Sequence, residues 1–223
     1  MLNLKDVTQS KLDLRMEPIN EYFSIIILGA WNPQILLNQQ WIAQHLLENK
    51  QEQITFAVPV NNSALPPRIS FGDILIFPEM AKLTIQTSVP SLQGLQKSAK
   101  TAQKIMGLLE HTPIYSLGVN VGFLSNDTIE SVADMVFSDT DRLEKITSGV
   151  VGIEILRSIP LDATRMLNFK LAKNGGQTIF DFNFNHQSVE RDRYINYLED
   201  EAVKYDYDLA IQILKDVYEC EIQ

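Results

Sequence analysis

From Leu92 onward the apolar residues fall at Leu92, Leu95, Ala99, Ala102, Ile105, Met106 and Leu109. That spacing predicts an amphipathic helix with a polar opposite face, and Ser91, just after Pro90, stands where an N-cap belongs. Past His111, Thr112 and Pro113 the period changes to two. Tyr115, Leu117, Val119, Val121 and Phe123 share one face of a strand, while Ser116, Gly118, Asn120 and Gly122 share the other. A strand with one bulky and one nearly bare face requires another group packed close on its bare side. This helix and strand form the unit around which the rest is arranged.

Upstream, residues 1–21 carry no clear period and read as an arm or an edge strand. The apolar run Tyr22 to Gly29, centred on Ile25, Ile26 and Ile27, predicts a strand buried on both faces. Asn32 followed by Pro33 starts a helix that extends to about Leu47. Gln53 to Val60 alternates as a strand, and Asn61 to Pro67 is turn chemistry. Arg68 to Phe77 and Lys82 to Ser88 read as two strands of a hairpin joined at Pro78 and Glu79.

Downstream, the segment 126–146 carries two short helix patterns with acidic starts. From Gly149 alternation returns: Val151, Ile153, Ile155; then Leu167, Phe169, Leu171; then Phe180, Phe182, Phe184. Lys173-Asn174-Gly175-Gly176 between the last two signals a hairpin. From Ser188 to Glu219 the chain reads as helix, with a stripe at Ile195, Leu198, Ala202, Tyr205, Leu209, Ile213 and Val217.

Consecutive strands joined by short turns imply an α+β fold, a largely antiparallel sheet with helices packed on one side. We take residues 1–223 as one domain. A hairpin followed by a helix occurs twice, which suggests two related halves, 22–124 and 150–219, joined by the segment 126–146.

With 223 residues, 45% hydrophobic and 21% charged, the chain has enough apolar material for a core without staples. A formal net charge of -9 argues against general nucleic-acid binding, which needs clustered Lys and Arg. Lys97, Lys100 and Lys104 share one helix face and read as a solvated surface. Cys220 is the single cysteine, so no internal disulfide and no thiolate metal cluster can form. No apolar run approaches the ~20 residues a membrane helix needs. The start lacks signal-peptide character, and the expected location is cytoplasmic.

No catalytic motif and no cofactor-binding motif is present. His45, His111 and His186 lack a second histidine at metal-ligand spacing. His111 closes the central helix, where a cation suits the dipole. Cys220 lies between Glu219 and Glu221, which oppose a thiolate. The acids Glu199, Asp200, Glu201, Asp206 and Asp208 fall on the helix face away from the stripe, and no metal site is expected of them. The most suggestive polar feature is a strand face. With Phe180, Phe182 and Phe184 turned inward, Asp181, Asn183 and Asn185 line the other side, joined across the hairpin by Asn168 and Lys170.

Two uses follow. Tyr194, Tyr197, Tyr205, Tyr207 and Tyr218 lie among acids on the C-terminal segment, and Tyr194, Tyr197 and Tyr207 are the expected partner-binding residues. The leading expectation is therefore a non-enzymatic protein-interaction module, an acidic adaptor or antitoxin-like partner, or a homodimer. The alternative is a small-molecule binder or enzyme with a site over a sheet face, formed by Ser116, Asn120, Asp181, Asn183 and His186. A second alternative is a structural subunit of a larger assembly.

Overall fold

The computed structural model describes residues 14–47, 49, 51–59, 66–126, 132, 152–174 and 176–222. The turn expected at 61–65, the helix patterns within 127–146, except position 132, and Gly175 lie outside them. Eleven strands form the sheet: β1 Leu14–Pro18, β2 Ser24–Gly29, β3 Thr55–Ala57, β4 Arg68–Phe71, β5 Ile74–Pro78, β6 Lys82–Thr87, β7 Ile114–Ser125, β8 Gly152–Pro160, β9 Arg165–Asn174, β10 Gln177–His186 and β11 Cys220–Ile222. Among the described residues the helices are α1 Pro33–Leu36, α2 Gln39–His45, α3 Leu92–Leu108, α4 Arg191–Asn196 and α5 Asp200–Tyr218. The main path runs β3-β4-β5-β6-β2-β7-β10-β9-β8, antiparallel at every step. β1 pairs with the outer part of β7 and, in parallel, with β11. The class is α+β, as the alternation predicts.

One face of the sheet is the core. Ile25, Ile27, Leu83, Ile85, Leu117, Val119, Val121, Phe123, Phe180, Phe182 and Phe184 are fully buried there. Strand periodicity places each of these on one side. α3 lies over β6 and β2, burying Leu95, Ala99, Ala102, Ile105 and Met106, and α5 packs beside it over β7. Ser91 caps α3 by accepting the Gly94 N–H at 3.1 Å. Aromatic edges knit the layers: Phe23 meets Phe123 at 5.8 Å and Tyr218 meets Phe180 at 4.9 Å. Such pairs contribute ~0.5–1.5 kcal/mol each beyond their burial.

Several expectations change in detail. The helix after Asn32 is broken in two, because Asn38 accepts the N–H groups of Gln40 and Trp41 at 3.0 and 3.1 Å and so caps a second helix. The strand expected over Arg68 to Phe77 is a hairpin turning at Gly72, whose φ of +49° suits glycine. β2 is buried on one face only: Ile26 is half-buried and Leu28 is exposed. On α5 the buried stripe is Val203, Asp206, Ala210, Leu214 and Tyr218, one residue later than the periodicity suggests, leaving Tyr205 and Val217 exposed. Cys220 is not helical but opens β11, beside Leu14.

Candidate functional site

On the sheet's second face the short 3₁₀ turn Asn20–Tyr22 lies against β7 and β6, and beside it a straight polar row crosses the strands. In register, Ser158 of β8 stands opposite Asn168 of β9, Asn168 opposite Asn183 of β10, Asn183 opposite Asn120 of β7, and Asn120 opposite Ser24 of β2. The side chains are linked in the same order. Ser158 Oγ donates to Asn168 Oδ1 at 2.9 Å, Asn168 Nδ2 to Asn183 Oδ1 at 3.2 Å, and Asn183 Nδ2 to Asn120 Oδ1 at 2.6 Å. Asn120 Nδ2 then donates to Ser24 O at 3.2 Å. An amide has one donor end and one acceptor end, so a row of Asn passes hydrogen bonds in one direction across neighbouring strands. The register continues through Gln86 of β6, whose amide reaches Asn20 O at 3.0 Å.

The bare side of β7 makes room for this row. A Cβ at Gly118 would lie 2.7 Å from Asn183 Nδ2, and one at Gly122 would lie 2.6 Å from Tyr22 Cβ. Ser116 flanks the row, donating to Asn185 Oδ1 at 2.5 Å. Asp181 flanks the other side, 3.8 Å from Lys170 Nζ. Burial raises the Asp181 carboxyl, partly offset by Lys170.

Of the sheet-face residues expected from sequence, Ser116, Asn120, Asp181 and Asn183 are therefore brought together. His186 is not. It follows the parity of Phe184, turns to the core face, and is buried. There its Nε2 lies 2.9 Å from Asp206 Oδ2, with Asp206 fully buried on the inner side of α5. Asp206 is thus a core residue and not part of a solvated face. Arg165 Nη1 approaches its other oxygen at 3.7 Å, while Arg165 Nε binds Asp162 at 2.6 Å and its guanidinium covers the Tyr205 ring at 4.8 Å. The hydrogen bonds of Arg165 and the Thr164 N–H hold the Asp162 carboxyl well below the usual range. The Tyr197 ring closes over His186 at 4.4 Å. The pair is sealed in the core and faces no cavity.

The tyrosines expected to meet a partner also turn inward. Tyr194 is buried, its hydroxyl 2.7 Å from Ser188 O and 3.0 Å from Tyr115 O. Tyr197 donates to Thr164 Oγ1 at 2.9 Å, and half-buried Tyr207 lies against Phe23, its phenol raised by burial. Tyr194 is core, while Tyr197 and Tyr207 are half-buried, with their rings against His186 and Phe23. Lys97 and Lys100 are each paired with an aspartate, Asp73 at 3.2 Å and Asp200 at 2.8 Å. His111 is exposed, and the α3 carboxyl end is held instead by Arg191, which donates to the carbonyls of Met106, Leu109 and Thr112. Burial pushes the Cys220 thiol up to about 11, a stronger effect than its acidic neighbours.

Two cavities open at strand ends, one of about 230 Å³ bounded by Asp162, Arg165, Asn168 and Asn185, the other of about 300 Å³ bounded by His111, Pro113, Arg191 and Tyr194. Among the described residues no three His, Cys, Asp or Glu side chains converge on a metal-sized space. No helix there is long and apolar enough to cross a membrane. No protein-family model and no curated protein matches the chain.

Proposed function

We propose that the chain is a protein-binding module, without an activity of its own, that receives its partner on the sheet face opposite α3 and α5. The carrying observation is the Ser158–Asn168–Asn183–Asn120 row, whose side chains fix one another by hydrogen bonds of 2.6–3.2 Å on a broad face. Exposed Ser158 and half-buried Asn168 and Asn183 are the part of the row a polypeptide can reach, with buried Asn120 holding Asn183 from behind, and pre-positioned amides cost little ordering on binding. Metabolite sites, in contrast, are enclosed spaces of roughly 300–1,000 Å³. The two cavities here are at or below the low end of that range and lie at the strand ends. A net charge of -9 draws in a basic partner at long range. The expected setting is the cytoplasm.

A second reading, a small-molecule binder, is favoured by one feature. The cavity beside Asn168 and Asn185 also meets Arg165, a cation suited to a small anion.

A photoactivatable side chain placed at Thr84 or Met166, on the face opposite α3 and α5, and at Gln212, on the exposed side of α5, separates these in the native cells. Cross-links from Thr84 and Met166 to one basic protein, absent from Gln212, are expected. Cross-links from Gln212 alone, or none from any position, overturn the proposal.

A further inference from the structure

The two ends of the sheet differ. β3, at one end, has only three residues, with Pro59 shortly beyond it; β11 is equally short. β8, at the other end, is nine residues long and pairs with β9 in one unbroken register from Gly152 to Pro160, with no bulge. Among the described residues no strand pairs with its outer edge. Natural edges of that length are ordinarily blunted by charged side chains, a bulge or proline. β8 has no bulge, its charges Glu154 and Arg157 fall on opposite faces, its proline stands only at the last position, and its Leu156 is 68% and Ile159 40% exposed.

We infer that β8 pairs antiparallel with β8 of a second copy about a two-fold axis through Leu156, joining the two sheets into one. About that residue Ile153 mirrors Ile159, and the strand's two charges, Glu154 and Arg157, mirror the uncharged Ser158 and Ile155. A two-fold axis normal to the sheet keeps the helix side of both copies on the same side. It therefore requires opposed residues of the same parity, which a centre on Leu156 provides. Leu156 then meets Leu156, Ile153 meets Ile159, and Glu154 meets Ser158. Ile155 meets Arg157, and no residue faces its own charge, which is the arrangement antiparallel pairs favour. The pairing is isologous and closes at two copies, because three-residue β3 offers no matching edge for continuing the sheet. In the dimer the polar rows of both copies lie on one continuous face.

Sedimentation of the full chain tests this with no partner present, so it stands or falls separately from the cross-linking result. The natural chain is expected at twice its 25.3 kDa. Leu156→Lys, at an exposed position, is expected to halve that mass by setting two ammonium groups against each other. Leu156→Cys is expected to yield a disulfide-linked dimer on mild oxidation, since opposed residues of an antiparallel pair stand about 4.5–5.5 Å apart at Cα, within disulfide reach. The natural chain, with its buried Cys220, is not. A monomeric natural chain overturns the inference. So does a dimer whose Leu156→Cys form fails to cross-link, whatever Leu156→Lys does, and a cross-linking dimer upholds it.

Discussion

His186 and Asp206 meet at 2.9 Å in the core, where one is 1% exposed and the other fully buried. The strand β10 and the helix α5 are thereby joined by a polar bond inside an apolar layer. His186 Nδ1 and Asp206 Oδ1 have no hydrogen-bond partner among the described residues, and beyond this bond Asp206 has the more distant Arg165 guanidinium at 3.7 Å. Removing one partner leaves the other stranded. Asp206→Ala is expected to cost about 3–5 kcal/mol in urea unfolding, the range for breaking a buried pair. The double variant His186→Leu/Asp206→Leu is expected to cost less than Asp206→Ala, because no polar group is left without a partner.

The bare face of β7 gives two glycines of unequal sensitivity. A methyl group at Gly122 would meet Tyr22 at its Cβ, next to the backbone, where nothing can swing aside. At Gly118 it would meet the far end of the Asn183 side chain, which can rotate at the expense of its 2.6 Å bond to Asn120. Gly122→Ala is expected to cost about 1–3 kcal/mol, as overpacking does. Gly118→Ala is expected to cost about 1 kcal/mol, the loss of one hydrogen bond. Urea midpoints of the two variants, compared at unchanged slope, check the order.

Much of this was legible beforehand. The period change after His111 predicts α3 and β7, and the empty side of β7 predicts close packing against it. Alternation also sets Asn183 and Asn168 on a face opposite Phe182. Register was not legible: that Ser24 and Ser158 extend the same row depends on pairings between strands far apart in sequence. The same alternation did contain the place of His186, which shares parity with Phe184, but proximity to Asn185 suggested otherwise. On α5 the pattern is degenerate. Leu209 and Ala210, Ile213 and Leu214, and Val217 and Tyr218 offer competing stripes, and an aspartate at 206 weighs against the true one until His186 is seen behind it.

Asn120 and Asn183 should behave as a coupled unit. Asn120 is nearly buried, and its carbonyl accepts from Asn183 while its amide is committed to Ser24. Asn183→Ala leaves the Asn120 oxygen and the Asn168 amide without this partner, an expected loss of about 1–3 kcal/mol. A double-mutant cycle with Asn120→Ala is expected to give a coupling energy of about 0.5–3 kcal/mol. Strict additivity would mean that the row is four separate side chains and not a network.

Asp162 and Asp181 should pull the acid stability profile in opposite directions. Asp162 is held below the usual carboxylate range by the Arg165 hydrogen bond and then the Thr164 N–H, so its ionised form favours the folded state. That contribution is present above the ordinary value of about 4 and is lost as the pH falls below it, through the depressed value of the folded state. The group is 42% exposed at its side chain, so screening keeps the effect under about 1 kcal/mol. Asp181 is raised, chiefly by burial, so its ionised form opposes folding. The penalty is present at neutral pH and is relieved as the pH falls through the raised value. Asp162→Asn is therefore expected to lower the urea midpoint at neutral pH and Asp181→Asn to raise it. The Asp181 difference from the natural chain is expected to shrink as the pH falls from the raised value toward about 4, and the Asp162 difference to shrink only below about pH 4. A midpoint for Asp181→Asn below that of the natural chain at neutral pH would instead mean that the Lys170 ion pair at 3.8 Å outweighs the cost of burial.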